Sequence, residues 1–369
     1  MRHDMQLDRR HFIGAGAALT LTALLPRGAF AAFSPKPADW RRFALTTKID
    51  IPADGKPVQA WIPVPSVNEE GWMRAEAPAF SGNADSAELK TDAESGAKYV
   101  HAVWSSGQAQ AELEITAEVE TRDRFVDLGE PGQGASLSDE ERALYTAPTR
   151  LIPTDGIVKA TSDMITENMS GDLQKARAIY EWVVESTERN PETRGCGIGD
   201  VASMLEMGDL TGKCADLNAL YVGLARAAGL PARDVYGLRV APSKFGYKSL
   251  GASSENVSKA QHCRAEVFLE DYGWVAVDPA DVRKVMLEEP PKNLDLDDPK
   301  VRAVRAGLFG SWEGNWVGYN FAHDVALPGS ERDSVGFLMY PQAEIDGVEQ
   351  DELDPSSFAY EITVREEGA

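Results

Sequence analysis

Apolar and polar residues alternate in short runs over the first third of the chain. The runs 43–51, 58–64, 99–104 and 113–119 are rich in β-branched and aromatic residues at a period near two, which predicts strands. Turn-forming pairs, Asp54-Gly55 and Gly82-Asn83, punctuate them. Strands of this length and spacing suit a small antiparallel sandwich over residues 38–127. A Gly-rich stretch, 129–138, then predicts a flexible linker within residues 128–144.

The period changes after the linker. Ala176, Ile179, Tyr180, Val183 and Val184 recur on one helical face, with Asp172 placed to cap the helix. Tyr180 belongs to that face, so core packing is its expected role. A second helical face comprises Leu217, Leu220, Tyr221, Leu224, Ala225 and Ala228. Gly229 and Pro231 follow in the order that ends a helix, and Thr211-Gly212 precede it, which puts Cys214 in the first turn. The period then returns to that of strands over 234–240, 264–269 and 274–277, the last two joined by the turn Glu270-Asp271-Tyr272-Gly273. Two late runs, 337–340 and 358–364, read as strands. The pattern is α+β, with a mixed domain over 145–330 and closing strands over 331–369.

The N-terminus has a different logic. Arg9-Arg10-His11-Phe12-Ile13 is a twin-arginine arrangement ahead of an uncharged apolar stretch, 12–25, and Ala29-Phe30-Ala31 forms a small-x-small cleavage site. About 14 apolar residues fall short of the roughly 20 needed to span a bilayer. Residues 1–31 are therefore expected to be a removable export signal, and the mature chain to be a periplasmic protein without stable membrane insertion.

The chain of 369 residues has a formal net charge of -22. Loss of the signal, with its four Arg and two Asp, takes this to about -24. Such an excess of acid argues against nucleic acid as a partner, since phosphate binding needs a basic face. Three cysteines exclude a disulfide scaffold and a four-cysteine zinc site. Oligomeric state is not legible.

The cysteines and histidines carry the candidate chemistry. A cysteine at a helix N-terminus meets a field that favours the thiolate and N–H groups that can serve an oxyanion. His262 opens one predicted strand and Asp278 closes the next, each eight residues from Glu270, so a hairpin brings them near each other. An imidazole held by a carboxylate at one nitrogen can act as base to a thiol at the other. His101, inside a strand, is expected to be structural, and His323 is a runner-up base. Cys263 neighbours His262, and strand alternation sends it to the other face, which disfavours a metal site built from Cys214, Cys263 and His262. Cys196 and Cys263 are a possible disulfide pair. The acidic segment 294–298 lacks the spacing of a calcium loop, and no phosphate loop or Gly-x-Ser-x-Gly elbow occurs. No cofactor or metal is expected.

Three ordered segments resemble a known family. Thr211-Gly212-Lys213-Cys214-Ala215-Asp216 leads into a helix ending Gly229-Leu230-Pro231-Ala232-Arg233. His262-Cys263-Arg264-Ala265-Glu266-Val267 and Gly273-Trp274-Val275-Ala276-Val277-Asp278-Pro279 follow. Together they are similar to the transglutaminase-like superfamily over about residues 145–285. The resemblance implies a papain-like core, a helix carrying Cys packed on an antiparallel sheet carrying His and Asp, preceded here by the sandwich. It implies Cys214, His262 and Asp278 as a catalytic triad, and acyl transfer on peptide or protein amides. Hydrolysis is the expected outcome; a protein-glutamine transamidase and a catalytically silent scaffold with this fold are the alternatives. One departure stands out: Arg264 occupies a position that is often aromatic in the family, which suggests either a changed acceptor side of the cleft or a salt-bridged arginine.

Overall fold

The computed structural model describes residues 32–132 and 136–368. The predicted export signal, residues 1–31, lies outside them, as do residues 133–135 of the predicted linker.

The early alternation builds two facing sheets. Arg41–Pro52 pairs antiparallel with Gln110–Thr121 along its full length, and Val58–Pro63 pairs with Lys98–Trp104. Their inward positions, Ile49, Ile51, Leu113 and Ile115 from one sheet and Val58, Ala60, Ile62, Val100 and Trp104 from the other, close into one buried cluster. The sandwich is not made of residues 38–127 alone. Tyr360–Glu367 pairs with Arg41–Pro52, and Gln342–Ile345 pairs with Val58–Pro63. These additions cover strand edges whose backbone groups would otherwise be open to foreign strands. The late strands also differ from the sequence pattern. The run 337–340 is split between the end of Val335–Phe337 and a buried loop before Gln342–Ile345, and the final strand begins at Tyr360 rather than at 358.

The mixed half is a four-stranded antiparallel sheet covered by helices. Its order is Gly273–Val277, Gln261–Leu269, Ala232–Arg239 and Trp316–Asn320. Against it packs the helix Cys214–Ala227, with Gly156–Thr166, Asp172–Ser186 and Pro279–Glu288 around it. Ala176, Ile179, Tyr180, Val183 and Val184 are all buried, as their spacing predicts. The cap of that helix is Gly171, with Asp172 as its first residue. The cysteine helix is buried on every side because helices and sheet enclose it. It ends in paired 6→1 and 5→2 bonds, Leu230 N–H to Ala225 O at 3.0 Å and Gly229 N–H to Arg226 O at 2.9 Å. Gly229 supplies the left-handed φ of +84° this ending requires. The segment expected to be a linker is partly ordered as the helix Asp139–Thr146, which starts at a Ser138–Glu141 capping box.

Two residues of the recognised motifs are structural. Arg233 and Glu266 are direct cross-strand partners, and their side chains meet at 2.5 Å with the carboxylate fully buried. Arg233 also reaches Glu69 at 2.8 Å and lies over the rings of Phe321 and Trp274 at 3.7 and 4.0 Å. Arg124 contacts the other oxygen of Glu266 and donates to Trp274 O at 2.5 Å. Two guanidinium groups thus share one buried carboxylate and tie the segment after the sandwich to the central sheet. Truncation of Glu266 leaves both cations in a dry interior. Glu266→Ala is expected to lower unfolding free energy by about 3–5 kcal/mol, read as a fall in urea midpoint. A loss below about 1 kcal/mol would remove this pair from the supports of the fold.

Candidate active site

The helix Cys214–Ala227 begins at the nucleophile candidate because the preceding loop is held for it. Asp216, in the first turn, accepts N–H groups from Lys213 at 3.0 Å and from Ile198 and Gly199 at 2.9 Å each. A Cβ at Gly197 would stand 1.8 Å from the Asp216 carboxylate, and one at Gly212 2.5 Å. Two glycines are therefore required by this close approach. Ala215 N–H donates to Cys196 O at 2.9 Å, so the Cys196 loop lies against the helix start. The Cys214 N–H occupies the turn where intrahelical acceptors are missing.

The hairpin brings His262 and Asp278 together, with a shift in register. Ala265 stands opposite Val277, so Asp278 continues the ladder opposite Arg264 and meets His262 on the diagonal. Even so, His262 Nε2 lies 2.8 Å from Asp278 Oδ2, with both side chains almost wholly buried. This leaves Nδ1 for a thiol. Asp278 also caps the helix Pro279–Glu288, its Oδ1 accepting Asp281 N–H at 3.1 Å. Asn218, one turn after Cys214, donates to Cys263 O at 2.8 Å and to Asp278 Oδ1 at 3.3 Å. One carboxylate thus orients the imidazole and is held by a cap and an amide.

Arg264 is neither solvated nor part of the cleft. It is buried, lies over Trp316 and Trp312 at 4.7 and 5.1 Å, and places its Nε 3.6 Å from Asp278 Oδ2. Burial pushes its pKa down to about 10. The family's aromatic position is thus replaced by a cation that balances Asp278 from beneath. A second carboxylate, Asp281, stands 3.4 Å from His262 Nε2 and 2.5 Å from Arg239. Burial opposes its ionisation, but Arg239 and His262 hold it well below the usual carboxylate range. For His262, burial and Arg239 disfavour the proton while Asp281 and Asp278 favour it. The carboxylates prevail, and the pKa rises to about 9. Asp281 was missed in the sequence; its position one turn after Asp278, on a helix starting at Pro279, was the available sign.

The three cysteines form one cluster, their sulfurs within 4.8 Å of one another, and all are free thiols. Cys263, expected on the face away from His262, thus lies beside Cys214. Alternation separates side chains across the faces of a sheet, but Cys263 is only the third residue of Gln261–Leu269, and the helix start lies against that end of the strand. Hydrogen bonds from Cys196 and Cys263 are the leading influences that hold the Cys214 thiol well below its ordinary pKa. Burial opposes this, and His262 adds to it. The two supporting thiols are shifted upward, Cys196 chiefly by its bond to Cys214 and Cys263 by burial. Both are thus held toward the protonated form beside Cys214, with Cys196 Sγ also 3.4 Å from Gln261 O.

Cys214, Cys196 and His262 open into a shared cavity of about 840 Å³. One wall is the core, including Lys213, Arg239 and Lys284. The other comes from the C-terminal segment that completes the sandwich, with Tyr340, Leu353, Phe358 and Tyr360. The other histidines lie elsewhere. His101 stacks on Trp61 at 5.3 Å, and His323 sits 3.4 Å from the Tyr236 hydroxyl and 3.3 Å from Asp234.

Residues 159–279 match the model of the transglutaminase-like superfamily. An uncharacterized protein of Haemophilus influenzae is 38% identical over 316 residues, covering 82% of this chain and 84% of its own. A candidate cysteine protease from Cytophaga hutchinsonii has a similar fold, with a TM-score of 0.50 at 14% identity over 84% of this chain and 99% of that one. The periplasmic domain of TgpA from Pseudomonas aeruginosa aligns with a TM-score of 0.34 at 15% identity, over 66% of this chain and 88% of that domain. The matched segment contains Cys214, His262 and Asp278 in the motif order of the family, and the chain belongs to the transglutaminase-like superfamily.

Proposed function

We propose that the protein is a cysteine hydrolase of amide bonds in peptides or proteins, acting after export to the periplasm. The observation that carries this reading is the Cys214 thiol at a helix start, sharing a cavity with an imidazole held at 2.8 Å by a buried carboxylate. Cys214 attacks the amide carbonyl as the thiolate. Its N–H donates to the oxygen that becomes negative. His262, already protonated beside the thiolate, passes its proton to the leaving amine, and Asp278 keeps the ring oriented throughout. The thioester is then attacked by water, with His262 as base. The cavity's open mouth and polar side chains give water direct access, which favours hydrolysis over transfer to an amine. Metal takes no step in this sequence.

Export rests on the twin-arginine sequence. No helix among the described residues is long and apolar enough to cross a membrane.

Labelling with iodoacetamide and mapping by mass tests the nucleophile. Cys214 is expected to react at least about tenfold faster than Cys196 or Cys263 at pH 7, and His262→Ala to slow it, because the imidazolium adds to the stabilisation of the thiolate. Equal, slow labelling of all three would remove the catalytic reading. Casein digestion in the presence of a primary amine then separates the two acyl acceptors: new peptide termini indicate water, whereas amine incorporation without cleavage would overturn hydrolysis.

The pH dependence follows from the same pair. The thiolate is present above the depressed Cys214 pKa, and the imidazolium is lost as pH rises through its elevated value. Casein cleavage is expected to hold from weakly acidic pH up to an alkaline limb near pH 9. Because Cys196 supplies the leading stabilisation, Cys196→Ala should move the acid limb of labelling upward. An unmoved limb would show that the helix and His262 suffice. For export, replacing Arg9 and Arg10 by Lys is expected to leave the full-length chain in the cytoplasmic fraction, and unchanged periplasmic yield would remove the twin-arginine route.

A further inference from the structure

The chain is strongly acidic, yet the core wall of its cavity is basic. Arg189, Lys213, Arg239 and Lys284 all line the space that holds Cys214 and His262. Four separate elements deliver them. Arg189 ends the short strand that pairs with Gly212, Lys213 immediately precedes the nucleophile, Arg239 closes a central strand, and Lys284 is one turn beyond Asp281. Two of these charges are already answered: Arg239 by Asp281 at 2.5 Å and Arg189 by Glu288. Lys284 approaches only Glu288, at 3.9 Å, a carboxylate that Arg189 has engaged. Lys213 has no carboxylate partner among the described residues.

Lys213 and Lys284 thus stand half-buried on the core wall with no close carboxylate of their own, although Asp281 also acts on Lys284. Arg239 and Arg189 crowd Lys284, and burial is the first cause that drives its pKa down to about 8. A cation held among cations in a low-dielectric corner is stabilised by whatever anion enters. The opposite wall, with Tyr340, Leu353, Phe358 and Tyr360, is largely apolar and aromatic, and carries its two carboxylates, Glu352 and Glu361, on the C-terminal segment. The cleft thus offers one side to a hydrophobic group and the other to a negative one.

We propose that Lys213 and Lys284 form an anion subsite, and that the substrate is an amide bearing a carboxylate close to the scissile bond, with an apolar group across from it. This deepens the hydrolase reading and rests on it. The subsite's charge can be measured without knowing the substrate, because two small alkylating agents differ almost solely in charge. Iodoacetate carries a carboxylate; iodoacetamide is neutral. The ratio of their rates at Cys214 cancels changes in thiol reactivity common to both. In Lys284→Gln and in Lys213→Gln this ratio is expected to fall about fivefold at low ionic strength, with added salt producing a similar fall in the unaltered protein. A ratio that stays unchanged in both variants would overturn the subsite. Failure of the hydrolase reading looks different: iodoacetamide would then label Cys214 no faster than the other two cysteines. Among peptides cleaved by the unaltered protein, amidation of the neighbouring carboxylate should raise KM by a similar factor.

Discussion

The carboxylate of Asp278 is where the architecture and the site meet. It touches the imidazole of His262, receives the Asp281 N–H in the first turn of the following helix, takes the amide of Asn218 and lies close to the guanidinium of Arg264. A buried carboxylate left without such partners would cost several kcal/mol. The four partners come from three elements: His262 and Arg264 from the strand Gln261–Leu269, Asp281 from the helix Pro279–Glu288 and Asn218 from the cysteine helix. Satisfying this one group therefore fixes the hairpin, the helix that follows it and the helix carrying the nucleophile in a single arrangement. The diagonal placement of Asp278 relative to His262 has a purpose in this light, since direct opposition is given to Arg264, which supplies the counter-charge.

The thiolate presents a related problem, a buried anion in a largely apolar setting. Helix N–H groups, an imidazolium and two thiol donors answer it together. Cys196 and Cys263 are themselves held toward the protonated form, Cys196 chiefly by its closeness to Cys214 and Cys263 chiefly by burial. The same closeness makes the cluster sensitive. Three sulfurs within 4.8 Å can be joined by an oxidant or bridged by a thiophilic cation, and either event would capture the nucleophile.

Much of this was legible in the chain. The apolar period placed the sandwich strands and the two buried helices, the Gly-Leu-Pro ending fixed the helix carrying Cys214, and equal spacing about Glu270 put His262 near Asp278. What was not legible depended on contacts between distant segments. The late strands carry the same alternation as any others, and nothing local says that they pair with residues 41–52 and 58–63. Alternation along one strand set Cys263 apart from His262 but did not show that it meets Cys214, because it describes faces and not what packs against a strand end. Asp281 and Asn218 read as ordinary helix positions until the helices are set against the hairpin.

Chain closure and cleft construction are the same event in this fold. The segment that supplies the apolar wall runs between two strands that finish the opposing sheets of the sandwich. Its position over Cys214 is thus set by sheet register, which a one-residue slip would invert, and not by local loop preference. The sandwich then acts on the chemistry at a distance, by holding one wall against a basic corner whose charge the rest of this acidic chain does not share. A substrate that spans the two must satisfy both at once, and binding energy gathered on the walls can be used to align an amide over the thiolate.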